Sequence, residues 1–370
     1  MKICVLAYKY AIEVSPIVKN LCTYLADFNE GIVDVYVDEL YRDTSFAFKN
    51  ENINIKHINV EPDFIKKKFF NKTKMINKKK NTFAQKLKLV INNYNVIIAI
   101  DFWALDILYM TSVDFSKVVV LILEGPNYIA NYDTKYVRIL IEKCRMLIFT
   151  DNERETDFRN FIKYDHQNIK YLPVSIRFLK RKYLNRIDSK EISIIYSGYF
   201  AKWACVHELI NLYLNSFNEN RLLTLHGHSM GTEVYLQSAI ELSKGDSSIK
   251  FNTDYFNDDE YLDYLSEFDL GIAFYNDINS DGNFSNIILS SGKIASYLFS
   301  GLGIITNIEN EITLKPPFIV VKNFSETEWS TGIKKFENNR KHYKESAYAL
   351  AEEFYNFDKY MGTIIDDIII

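Results

Sequence analysis

No apolar run in this chain approaches the roughly 18 residues that a membrane-spanning helix needs, so none is expected to cross a bilayer. The opening stretch, Met1 to Ala7, is too short for the apolar core of a secretory signal and reads as a first strand. The four cysteines, Cys4, Cys22, Cys144 and Cys205, contain no C-x-x-C pair. They read as buried thiols in a reducing compartment, and the expected location is the cytoplasm. Neither an H-E-x-x-H segment nor a zinc-type Cys/His spacing is present, so no metal centre is expected. The absence of G-x-G-x-x-G and of G-x-x-x-x-G-K-S/T argues against a dinucleotide dehydrogenase and a P-loop nucleotidase. No repeat of solenoid period occurs either.

The charge balance lacks an excess of either sign that would matter for the whole molecule. A formal net charge of -4 gives no general attraction to nucleic acid or to an acidic membrane, and a nucleic-acid partner is not expected. One local gap stands out. Between Asp63 and Asp101 there is no acidic residue, while Lys66, Lys67, Lys68, Lys78, Lys79 and Lys80 fall there among other lysines, with Phe69, Phe70 and Phe83. This reads either as a basic, aromatic-bearing patch for an anionic membrane surface or as a solvated loop.

What is present is the composition of a globular protein. With 370 residues, 48% hydrophobic and 25% charged, the chain has material for two domains of ordinary size. Short apolar runs alternate with helix-length amphipathic stretches, the pattern of parallel sheets covered by helices. Strands are expected over residues 2–7, 33–37, 96–100, 118–123, 146–149 and 169–172, then over 192–196, 222–225, 249–251, 270–274 and 303–305. The fold class is therefore α/β with two Rossmann-like domains. A polar, basic stretch after Pro173 marks the boundary, which divides the chain into 1–175, 176–340 and a helical segment 341–370 that packs back on the first domain.

Five segments carry chemistry. Ser290-Ser291-Gly292-Lys293 opens a helix, where unpaired backbone N–H groups, a hydroxyl cap and a cation can together hold phosphate. Ser197-Gly198-Tyr199-Phe200-Ala201-Lys202 follows the first strand of the second domain and lies on the same sheet edge. His226 and His228 flank Gly227 at the next strand end and either contact a ligand or sit in a turn. Asn257-Asp258-Asp259-Glu260 reads as a helix cap, since acids favour a first turn. Gly227-His228-Ser229-Met230-Gly231 also fits the nucleophile elbow of a serine hydrolase, with Asp269 or Asp281 as acid and His342 as base.

The order of these elements resembles a GT-B glycosyltransferase of the bacterial family-4-like type, across essentially the whole chain. The resemblance lies in Ile195-Tyr-Ser-Gly198, in Leu225-His-Gly227, in Leu265-Ser-Glu-Phe-Asp269-Leu-Gly271-Ile-Ala-Phe-Tyr275 and in Gly292-Lys293 running through Gly301 to Ile305. In the first half it lies in Asn95 to Asp101 and Leu147 to Glu153. Ile288 and Ser296 stand where many retaining members carry glutamates.

The resemblance implies two domains facing across a cleft and transfer of a sugar from a UDP- or GDP-linked donor, without a metal, to a hydroxyl of a glycan, lipid-linked glycan or glycoprotein. Such a role belongs to bacterial surface-glycan assembly, at the inner face of the cell membrane. Donor contacts would come from Gly198, Tyr199, Lys202, His226, Gly227, His228, Tyr275, Ser290, Ser291, Gly292 and Lys293. Asp101, Glu124 and Glu13 would be the candidate bases, with Asp101 first. A serine esterase and a non-catalytic sugar-nucleotide-binding or scaffold protein are the alternative readings.

Overall fold

The computed structural model describes residues 1–8, 12, 15–29, 31–38, 48, 50–58, 72–129, 132–177, 189–216, 221–227, 233–243, 245–276 and 287–369. They form two compact units, one of Met1–Arg177 with Phe357–Ile370 and one of Phe178–Asn356.

In the first unit the elements run β1 (Lys2–Ala7), α1 (Pro16–Asn29), β2 (Ile32–Asp38), β3 (Ile53–Ile58), α2 (Lys72–Lys88), β4 (Val96–Ile100), α3 (Asp101–Thr111), β5 (Val118–Ile122), α4 (Thr134–Lys143), β6 (Met146–Phe149), α5 (Asn152–Ile162) and β7 (Ile169–Tyr171). All strand pairs are parallel, in the order β3-β2-β1-β4-β5-β6-β7. The central strands β4 and β5 are buried at every position. That explains their unbroken apolar sequences, because helices cover both faces.

The second unit runs β8 (Ile192–Ser197), α6 (Val206–Asn215), β9 (Arg221–His226), α7 (Glu233–Leu242), β10 (Ile249–Asn252), α8 (Asp258–Leu265), β11 (Leu270–Ala273), α9 (Gly292–Phe299), β12 (Gly303–Thr306), β13 (Phe318–Val320), α10 (Glu326–Asn338) and α11 (Arg340–Phe354). Its sheet is again parallel, ordered β10-β9-β8-β11-β12-β13. The order reverses direction at β8, so the loops after β8 and β11 flank a topological switch point, where open α/β sheets bind ligands.

The last helix, α12 (Phe357–Ile369), returns to the first unit. Phe357, Met361, Ile364, Ile365 and Ile368 are buried in the cluster that holds Ile17, Leu21 and Leu25 of α1. Each contributes roughly 1.5–3 kcal/mol of apolar burial. The Arg177 guanidinium ties the two helices by pairing with Asp27 and Asp358. The expected single segment 341–370 is thus two helices in different units, since α11 belongs to the second.

The basic segment is also corrected in part. Lys66, Lys67, Lys68, Phe69 and Phe70 lie outside the described residues. Lys78, Lys79 and Lys80 sit in helix α2. The Lys80 ammonium is paired with the buried carboxylate of Asp106, which also accepts from the Tyr136 hydroxyl at 2.8 Å. Phe83 is fully buried against Tyr8. Two members of the expected surface patch are therefore interior anchors of α2.

Candidate functional site

At the carboxyl edge of the second sheet, β8 ends in Ser197 and Gly198, β9 in His226 and Gly227, and α9 starts beside them. Ser291 caps α9 by accepting from the Ile294 N–H at 3.3 Å, and its hydroxyl lies 2.7 Å from that of Tyr275 after β11. Tyr275 is clamped by Asn307, which accepts from its N–H at 3.0 Å and donates to its carbonyl at 2.7 Å. Tyr297 fastens the helix to β8, because its hydroxyl accepts from the Ser197 N–H at 2.8 Å. Only glycine at 271 permits this, since a Cβ there would stand 2.4 Å from the Tyr297 ring. These bonds fix the helix start over the strand ends, and its first-turn N–H groups have no partner within the helix.

Lys293 is half-buried as a residue, but its Nζ is buried and has no hydrogen-bond partner among the described residues. The ammonium lies 4.2 Å from the ring centre of Tyr196 and 5.5 Å from that of Tyr275. A Cβ at Gly198 would be 3.2 Å from it. Burial drives its pKa down from the ordinary lysine value to about 7, only slightly opposed by the Cys205 thiol. An unpaired buried cation is costly, and the ring faces replace only part of its lost hydration. Next to a helix N-terminus, the ligand that compensates it is an anion.

The other expected donor residues divide. Gly198 and Gly227 meet backbone to backbone, with φ of +154° and +158°, and a Cβ on Gly227 would fall 1.8 Å from the Gly198 oxygen. Gly227→Ala is therefore expected to lower Tm by about 6 °C or more, from at least roughly 3 kcal/mol of overpacking and strain. Gly362→Ala, where a Cβ meets nothing within 4 Å, serves as the control and leaves Tm unchanged or slightly raised. Tyr199 and Lys202 are exposed on the loop after Gly198, and Ser290 is half-buried just before the cap.

His226 is a correction. It is buried rather than emergent, with Nδ1 2.8 Å from the Ser197 hydroxyl and Nε2 3.0 Å from the Asp254 carbonyl. Tyr261 donates to the same serine at 2.7 Å. With both ring nitrogens engaged, His226 braces the strand end and has no free nitrogen to offer a ligand. His228 lies outside the described residues.

The hydrolase triad does not assemble from Asp269 and His342. Asp269 is fully buried at the amino edge of β11, the opposite edge of the sheet from Gly227. There it accepts from the Ser193 N–H at 3.0 Å and lies 3.8 Å from the Arg340 guanidinium. His342 is exposed, two residues beyond Arg340 at the start of α11. Ser229 and Asp281 are outside the described residues. The acidic run is a cap as expected, for Asn257 accepts from the Glu260 N–H at 3.1 Å and Glu260 from the Asn257 N–H at 3.0 Å.

Sequence reasoning missed Tyr196, Trp203 and Asn307. Trp203 stacks on Tyr275 with ring centres 6.5 Å apart and planes 5° from parallel. An aromatic two residues before the strand-end glycine was a usable signal for Tyr196. Asn307 had none, because its role is set by the register of β12.

In the first unit, Asp101 stands at the junction of β4 and α3 with φ 59°, an uncommon conformation for a residue with a Cβ. It is 3% exposed. One carboxylate oxygen accepts from the Leu123 and Glu124 N–H groups at 2.8 and 3.1 Å, and the other is buried without a partner among the described residues. The residue lines a cavity of about 20 Å³ with Trp103, Glu124, Gly125 and Ile129, space for roughly one water. Burial first, and the charge of Glu124 second, raise its pKa to about 7 against the pull of the two N–H groups and Arg154. Glu124 is half-buried beside it. Glu13 lies outside the described residues. Among the described residues no three His, Cys, Asp or Glu side chains are grouped to hold a metal ion, and no helix is long and apolar enough to cross a membrane.

No protein-family model matches the sequence, and no curated protein matches it. Solved structures match in fold. The Anabaena protein HepE in complex with UDP-glucose superposes with a TM-score of 0.71 at 11% identity, over 99% of this chain and 98% of that one. A trehalose-6-phosphate protein from E. coli bound with UDP-2-fluoro glucose gives 0.72 at 9% identity, over 100% and 99%. Sucrose-phosphate synthase from Thermosynechococcus elongatus gives 0.71 at 13% identity, over 100% and 99%. At such identities the likeness shows the fold, two parallel-sheet α/β domains of the GT-B kind.

Proposed function

We propose that this chain is a GT-B glycosyltransferase that moves a sugar from a nucleotide-diphosphate donor to an acceptor hydroxyl. The observation that carries the proposal is the buried Lys293 side-chain nitrogen at the N-terminus of α9, without a hydrogen-bond partner among the described residues and walled by Tyr196, Tyr275 and Gly198. The UDP-sugars held by HepE and by the E. coli protein support UDP ahead of GDP. The second domain would take the donor and the first the acceptor. Family-4-like membership, a glycan, lipid-linked or glycoprotein acceptor, bacterial surface-glycan assembly and contact with an anionic inner leaflet extend the same reading.

Most charge in such a transfer develops on the leaving diphosphate. A fixed cation and oriented N–H groups, already in place in a site sheltered from water, stabilise that charge without reorganisation. Lys293, with the first-turn N–H groups of Gly292 and Lys293, would do this without a metal. Lys202, exposed on the neighbouring loop, adds a second cation within the same edge. In an inverting route Asp101, with Glu124 beside it, would accept the proton of the attacking hydroxyl. Ser296 is buried and donates to the Gly292 carbonyl at 2.9 Å, and Ile288 is buried, so neither supplies the carboxylate of the retaining pattern. Screening a panel of nucleotide sugars for binding and turnover tests the proposal. Stabilisation by UDP or GDP together with release of that nucleotide from one donor supports it, and a chain indifferent to every donor contradicts it.

A further inference from the structure

Among the described residues Lys293 meets no anion to hold its proton. From β8 it is faced by the Tyr196 ring, whose hydroxyl donates to the Tyr199 carbonyl. From the end of β11 it is faced by Tyr275, whose hydroxyl is spent on Ser291 of its own helix. Burial raises both phenols, so both stay neutral. From the start of α6 the Cys205 thiol is pushed up to about 12 and is neutral as well. Behind Ser197 the imidazole of His226 is engaged at both nitrogens. Among the described residues no carboxylate lies within ion-pair distance of the Lys293 nitrogen.

We propose that Lys293 stands as a neutral amine in the empty site and takes one proton from solvent when a diphosphate-bearing ligand enters, a coupling that rests on the donor reading above. The amine lone pair binds the proton, and no bond to the ligand forms or breaks. Two negative phosphates brought into a water-poor niche favour the charged form, because an opposite charge within about 4–6 Å restores what burial removed. The empty site thus avoids an uncompensated charge, and the full cation appears only when there is an anion to meet it.

The magnitude follows from the empty-site value of about 7. At pH 8 most of the empty sites hold the neutral amine, so binding takes up close to one proton. Above that value the unliganded protein binds fewer protons than the complex. Affinity for the ligand therefore falls as pH rises, by about tenfold per unit between pH 8 and 9.

The test is calorimetry of UDP binding at pH 8.0 in two buffers of different ionisation enthalpy. The ligand's own phosphates, with a last pKa near about 6, exchange no proton there. An uptake close to one proton is expected for the natural protein, and an uptake near zero for Lys293→Arg, whose guanidinium is always charged. UDP binding with no net proton exchange overturns the coupling while leaving the donor reading intact. The same uptake in Lys293→Arg overturns it too, by assigning the proton elsewhere. Failure of both UDP and GDP to bind strikes the donor reading itself and the coupling with it.

Discussion

Replacing Lys293 by methionine is expected to weaken UDP binding by about 100-fold or more, and to leave the unliganded protein at least as stable as before. The first effect follows from losing a desolvated, charge-assisted contact, worth about 1.5–3 kcal/mol for each hydrogen bond to a charged group. The second follows from removing a buried amine that has no partner and substituting an unbranched apolar chain between two rings. Thermal shift with and without UDP reads both. Burial depresses the lysine pKa, so between about pH 7 and 10 the unfolded chain binds more protons than the empty native site, and native stability rises with pH. The stability advantage of Lys293→Met is therefore largest near neutrality or below and shrinks towards pH 10. A variant that loses UDP binding only because it unfolds at lower temperature contradicts this account.

Asp101→Asn is expected to lower turnover by about 10²–10⁴, the range for loss of a positioned general base. Asparagine keeps an oxygen for the Leu123 and Glu124 N–H groups and tolerates the left-handed φ, so the helix start survives. The UDP-induced thermal shift should persist, because the donor contacts are in the other unit. In the natural protein kcat at saturating donor should rise with pH through about 7, as the Asp101 carboxylate forms. The ratio kcat/KM for the donor should instead peak near pH 7, rising below it as the Asp101 carboxylate forms and falling above it, because donor affinity drops as the empty-site Lys293 loses its proton. Full activity of Asp101→Asn would move the base to Glu124 or to Glu13.

Most of the architecture was legible because its strands are buried on both faces and their apolar runs are nearly unbroken, as in β1, β4 and β5. The strands that escaped notice lie at sheet edges. Ile53–Ile58 is buried only at its two ends, with Lys56 and His57 exposed, and carries Asn54, Lys56 and His57, so its sequence lacks the signature of a central strand. Phe318–Val320 is only 3 residues long. Of the site, the elements that depend on local chain chemistry were readable, namely the strand-end Gly198 and Gly227, the Ser291 cap and Lys293 in the first turn. What depends on side-chain direction between distant segments was not. The aromatic niche around Lys293, the Asn307 clamp on Tyr275, the burial of His226 by Ser197 and Tyr261, and the diversion of Lys80 to Asp106 arise only when the sheet and its covering helices are assembled.

The central claim is that the Lys293 niche holds a nucleotide's diphosphate, and a crystal structure of the protein soaked with UDP tests it most directly. The account predicts a phosphate oxygen within about 3 Å of the Lys293 nitrogen and of a first-turn N–H of α9. UDP seated elsewhere, with the Lys293 nitrogen still buried between the rings of Tyr196 and Tyr275 and untouched by phosphate, would contradict it.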